Sequence, residues 1–117
     1  MKIILHITKR EQWEQAQLDG FYKGDTLETE GFIHCSTAHQ VVKTANKYFY
    51  NQKGLVLLWI ESEKVRAEIR YEGVGDEHYP HIYGILNIDA VTQVLDFEPL
   101  DNGEFELPTN LGDIMKE

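Results

Sequence analysis

The unbroken apolar run Leu55-Val56-Leu57-Leu58-Trp59-Ile60 is the longest in the chain and limits its architecture more than any other segment. Apolar side chains pointing both ways along six residues fit a central strand buried on both faces, which calls for a packing layer on either side. The same run falls far short of the ~20 apolar residues that cross a bilayer, so no membrane partner is expected. At 117 residues the chain can build one such core, burying roughly two-thirds of the surface its unfolded form exposes.

Around that strand the pattern is of short elements. Lys2 to Ile7 reads as a first strand. Thr8 followed by Glu11 has the spacing of a capping box for a helix to about Leu18, stopped by Asp19-Gly20. Phe21 to Gly31, with two glycines and a run of acidic and hydroxyl side chains, predicts an exposed loop. Phe32 to Ser36 reads as a strand, and Thr37 as the cap of a second helix whose Val41, Val42, Ala45, Tyr48 and Phe49 recur at helical spacing. Further strands are expected over Ala67 to Tyr71, around His81 to Tyr83 and around Thr92 to Phe97, with a flexible loop at Gly73 to Glu77. The sum is a single α+β domain over residues 1–108, with a twisted, largely antiparallel sheet and about two main helices, and a loosely docked tail over 109–117.

Charge and cysteine usage narrow the partners. Eleven basic against twenty acidic residues give a net charge of −9, which opposes a nucleic-acid backbone. Lys43, Lys47 and Lys53 form a local basic stretch that reads as a solvated helix face, with a phosphate site as the sharper alternative. A single cysteine forms no internal disulfide, and the N-terminus lacks the apolar centre of a signal peptide, so a cytoplasmic location is expected.

Strand parity then gathers the chemistry. Alternation places His34 and Ser36 on one face and Ile33 and Cys35 on the other; it pairs His81 with Tyr83 and sends His6 away from Ile3, Leu5 and Ile7. Glu68, Arg70 and Glu72 share a face, with Glu72 just past its strand's end. If the strands are neighbours, His6, His34, Ser36, His81, Tyr83 and Glu72 meet in one polar cleft. Taken singly, each has a plainer explanation: a partly buried histidine satisfying hydrogen bonds, a half-buried tyrosine with a wet hydroxyl, a solvated loop acid. Cys35 lies between His34 and Ser36, but neighbours on a strand face apart, so it is expected to be a buried, unreactive core cysteine. Three imidazoles, His6, His34 and His81, would suit a catalytic zinc, yet no metal motif supports one; His39 and His78 read as surface residues, and no phosphate-binding glycine loop is present.

The segments Leu5-His6-Ile7, Gly31-Phe32-Ile33-His34-Cys35-Ser36, Leu55-Val56-Leu57-Leu58, Arg70-Tyr71-Glu72 and Pro80-His81-Ile82-Tyr83-Gly84 resemble the bacterial domain of unknown function 952 over nearly the whole chain to about Pro99. That resemblance implies a remote kinship with the ADP-ribosyltransferase fold, compact α+β domains in which a split sheet grips NAD. In such enzymes a strand histidine holds a ribose hydroxyl and a glutamate positions the nucleophile; His6, His34 with Ser36, and Glu72 are the nearest equivalents, whereas His81 and Tyr83 have no obvious counterpart. The resulting expectation is an ADP-ribosyltransferase-like enzyme acting on NAD or a related nucleotide, with Glu72, His34 and His81 catalytic and His6, Ser36 and Tyr83 binding the ligand. Two alternatives stand beside it: a non-catalytic pocket for a small anionic ligand, and a His-liganded metal hydrolase.

Overall fold

In the computed structural model, which describes residues 2–108, the apolar run forms most of the strand β4 (Leu55–Glu61). The expected tail over 109–117 lies outside the described residues. In chain order the elements are β1 (Ile3–Lys9), α1 (Arg10–Asp19), β2 (Phe21–Tyr22), α2 (Thr26–Glu30), β3 (Ile33–His34), α3 (Val41–Tyr48), β4, β5 (Glu68–Val74), β6 (Glu77–Tyr83), β7 (Leu86–Asn87) and β8 (Val91–Phe97). Every strand pairing is antiparallel: β4 sits between β1 and β8, β6 sits between β3 and β5, and β2 pairs with β7. The chain is a single α+β domain with α1 and α3 as its main helices.

The central position of β4 follows from its two apolar faces. Val56, Leu58 and Ile60 enter one core with Ile4, Trp13, Ile33, Cys35, Ile82 and Leu86. Leu55 and Leu57 enter a second core with Leu5, Val41, Ala45, Phe97 and Phe105. The first core packs the sheet of β1, β4 and β8 against α1 and the inner face of β3 and β6; the second packs it against α3. Burying a leucine in either contributes roughly 2–3 kcal/mol of transfer free energy, so both faces drive the same strand inward.

Pro80 explains why the sheet divides. In the register Ile33↔Ile82 and His34↔His81, the next pair along would be Cys35 with Pro80. The Cys35 N–H donates to the Pro80 carbonyl at 3.0 Å, but proline has no N–H to return, so the ladder ends on half a pair. The chain then moves to β1, where Leu5 and Ser36 exchange two backbone hydrogen bonds of 2.7 Å as an isolated bridge. The two three-stranded sheets are thus joined at one point and diverge beyond it.

Five sequence expectations are corrected. Thr8 is no helix cap: it belongs to β1 opposite Val56, Lys9 stands at the cap position, and the Thr8 hydroxyl donates to Gln12 Oε1 at 2.8 Å instead. Thr37 does not cap α3 either, since the helix begins at Val41 with Gln40 before it; the Thr37 carbonyl accepts from the N–H groups of Gln40 and Val41, and its own N–H donates to Gln40 Oε1 at 3.0 Å, with no cap bond from its hydroxyl. The segment from Phe21 to Gly31 carries β2 and α2 rather than loop alone, because Tyr22 is buried and anchors the start of it. Glu72 lies inside β5, and the expected loop at Gly73 to Glu77 is a tight turn at Gly75-Asp76 between two strands.

Candidate functional site

Where the two sheets diverge, a cleft of about 760 Å³ opens. Its walls are the C-terminal half of β1, α2, the stretch from His34 to Ser36, α3 and the tip of the β5–β6 hairpin. Its size lies within the ~300–1,000 Å³ range of small-molecule sites. At its edge Lys43 of α3 pairs with Glu77 of the hairpin, and Gln40, just before α3, donates from Nε2 to the His78 carbonyl at 2.8 Å.

On the outer face of β3 and β6, parity brings together the residues expected there. His34 and His81 are direct cross-strand partners, their ring centroids 5.2 Å apart and edge to face. His81 is buried, with 5% of its surface exposed, and its Nδ1 donates to Glu72 Oε1 at 2.9 Å. Tyr83 donates its hydroxyl to the same Glu72 oxygen, and the Arg70 guanidinium lies 4.3 Å over the Tyr83 ring. The Tyr83 hydroxyl, then the His81 ring, hold the Glu72 carboxyl below its ordinary range, so it is ionised in neutral solution. His34 Nε2 faces Glu30 Oε2 at 3.3 Å.

His81 and His34 line the cleft, as do His6 and Ser36, whereas Glu72 and Tyr83 stand behind His81 and do not. Ser36 is buried, and its hydroxyl faces Thr44 Oγ1 on α3 at 3.4 Å. Cys35 is buried on the opposite face in the first core, and burial pushes its thiol pKa up. Sequence reasoning missed Phe32, whose ring stacks on His81 with centroids 4.2 Å apart and fixes that imidazole from one side. Its parity with His34 and Ser36 was the available signal.

His6 is differently placed. Its Nδ1 lies against the His34 carbonyl, which accepts only, so Nδ1 carries the hydrogen. Its Nε2 is 2.7 Å from the Tyr22 hydroxyl, which lies 3.0 Å from Thr8 Oγ1 in a chain that continues through Gln12 to Asp25. Both ring nitrogens are therefore engaged by the protein, and burial is the main cause pushing the imidazole pKa down to about 4. The same burial raises the Tyr22 phenol to about 12. The three-imidazole zinc site needs a free His6 nitrogen, and among the described residues no group of three or more His, Cys, Asp or Glu side chains is placed to hold a metal ion.

A buried neutral His6 makes stability depend on pH. Between about pH 6.5 and 4 the unfolded chain binds a proton at His6 that the folded chain refuses, so this contribution is complete above pH 6.5 and is lost as pH falls towards 4. A depression from 6.5 to about 4 corresponds to roughly 3 kcal/mol. Urea unfolding at pH 7.5 and 4.5 should show wild type losing about that much more than His6→Asn, whose amide keeps a donor for the His34 carbonyl. Comparing the two cancels the carboxylates, which also lose stability on acidification. Equal losses would show that His6 takes up its proton as readily in the fold as in the unfolded chain.

The protein-family model described as "Protein of unknown function (DUF952)" matches residues 7–94. Among solved structures, the crystal structure of the protein CC0527 from Caulobacter crescentus is similar over 99% of this chain and 100% of that one, at 31% identity and a TM-score of 0.85. A double methionine variant of that protein gives 31% identity and a TM-score of 0.84 over the same shares. Its solution NMR structure gives 33% identity and a TM-score of 0.78 over 97% of each chain. None of the curated proteins matches the chain.

Proposed function

Since the chain belongs to the DUF952 family, whose description assigns no activity, we propose from the site itself that the cleft holds NAD or a related nucleotide and that the protein is an ADP-ribosyltransferase-like enzyme. The observation that carries this is the divergence of the two sheets at the Leu5–Ser36 bridge, which opens a ligand-sized cleft with imidazoles from both sides: His6 from β1, His34 and His81 from β3 and β6. The chemistry such a site supports is substitution at the ribose carbon bonded to nicotinamide. Departure of nicotinamide leaves an oxocarbenium-like sugar, and an ionised carboxylate a short distance behind a cleft imidazole favours positive charge there. His34 and Ser36 line the cleft and would offer hydrogen bonds to sugar hydroxyls.

One observation favours the second reading, a non-catalytic pocket for a small anionic ligand. Lys9 and Lys47 line the cleft, and neither pairs with a carboxylate among the described residues. Calorimetric titration with NAD and with ADP-ribose, run beside an assay for released nicotinamide, separates the two. The transferase predicts saturable heat with NAD and release of nicotinamide in the presence of an acceptor. Saturable heat with ADP-ribose and no release across several acceptors supports the anion pocket; no heat with either ligand removes both.

A further inference from the structure

The cleft holds several groups able to move a proton, and hydrogen-bond accounting distinguishes them. His6 has both nitrogens engaged, and Cys35 faces the core. His34 has its Nε2 turned to Glu30 on the half-exposed rim. His81 differs from all of these. Its Nδ1 faces an ionised carboxylate, which accepts but does not donate, so the hydrogen of the neutral ring sits on Nδ1 and the lone pair on Nε2. Nε2 has no hydrogen-bond partner among the described residues, where no buried side-chain polar atom lacks one. It follows that Nε2 is not fully buried, on an otherwise buried ring that lines the cleft.

We propose that His81 is the general base of the transfer, its Nε2 taking the proton of the acceptor hydroxyl, with Glu72 and Tyr83 as positioning residues that fix its tautomer and orientation. This rests on the transferase reading and adds the acceptor's chemistry: a hydroxyl, of water or of a second molecule. The acceptor oxygen forms a bond to the ribose carbon as the bond from that carbon to the nicotinamide nitrogen breaks. The bonding pair leaves with nicotinamide, which departs neutral, and the acceptor proton passes to Nε2. Glu72 stabilises the imidazolium so formed, Phe32 holds the ring by stacking, and Tyr83 holds the carboxylate.

Two measurements test the assignment, one of them independent of NAD. Long-range proton–nitrogen NMR of the wild-type protein should show the hydrogen of the neutral His81 ring on Nδ1, and Glu72→Ala should release that constraint. In turnover, His81→Ala should slow nicotinamide release by about 10²–10⁴-fold with NAD affinity retained, and added imidazole should restore part of the rate. A hydrogen found on Nε2 in the wild type overturns the assignment. So does His81→Ala turning over at close to the wild-type rate, a result that leaves the transferase reading intact. The expected tautomer in a wild-type protein that releases no nicotinamide from NAD overturns His81 as the base of this transfer together with the transferase reading, while the Glu72–His81 pair remains established.

Discussion

Glu72→Gln should slow nicotinamide release by about a hundredfold or more while leaving the affinity for NAD close to that of wild type. Glu72 does not line the cleft, so the amide removes no direct ligand contact. What it removes is charge. In wild type the carboxylate accepts from His81 Nδ1 and from the Tyr83 hydroxyl, and it steadies the imidazolium at the moment the proton arrives. A glutamine keeps the shape and one acceptor oxygen, but it can also turn its NH2 towards Nδ1 and admit the wrong tautomer. Loss of an electrostatic contact made mainly in the transition state is worth roughly 3 kcal/mol, and it appears in kcat with KM little changed. Steady-state rates and calorimetric affinities for both proteins provide the check. Equal kcat in wild type and Glu72→Gln would remove Glu72 from the chemistry.

The largest effects on stability should come from β4. Leu57→Ala and Leu58→Ala are each expected to cost about 3–5 kcal/mol, measured as a fall in the urea midpoint at unchanged slope. Both side chains are fully buried, yet they are adjacent in sequence and enter different cores, one beneath α3 and the other against β3 and β6. Since they share no cavity, their costs should add closely in the double variant. Together they approach the ~5–15 kcal/mol that holds a domain of this size, so the double variant should be largely unfolded at 25 °C. A single variant costing under 1 kcal/mol would mean that its core is absent or collapses without penalty.

Much of this arrangement was legible in the sequence, for a specific physical reason: the period of a strand is two, so parity alone put His34 with Ser36 and His81 with Tyr83, and sent Ile33, Cys35 and Ile82 the other way. The doubly buried β4 was legible from its uninterrupted apolar run. What parity does not supply is which strands are neighbours. The pairing of His34 with His81 depends on the long-range register of β3 on β6, and the approach of Glu72 to His81 rather than to the cleft depends on a β5–β6 hairpin whose strands run further than their apolar residues indicate. Local polar patterns misled where a distant partner won. Thr8 reads as a cap, but Tyr22 and Gln12 take its hydroxyl, and the acidic stretch after Phe21 reads as loop although the buried Tyr22 ties it to His6. The expectation of a transferase-like fold directed attention to His6 as a ligand contact, while the structure places both its nitrogens against protein groups.

Pro80 carries a consequence for how this molecule can change. Strands left with complementary edges tend to zip together until something stops them, and here the stop is a single absent hydrogen. Pro80 is buried and does not line the cleft, so what ends the ladder between the sheets is backbone chemistry and not the side chains around the opening. The lining residues are then free to be exchanged for others without the opening closing. A scaffold of this kind separates the question of whether there is a cavity from the question of what occupies it.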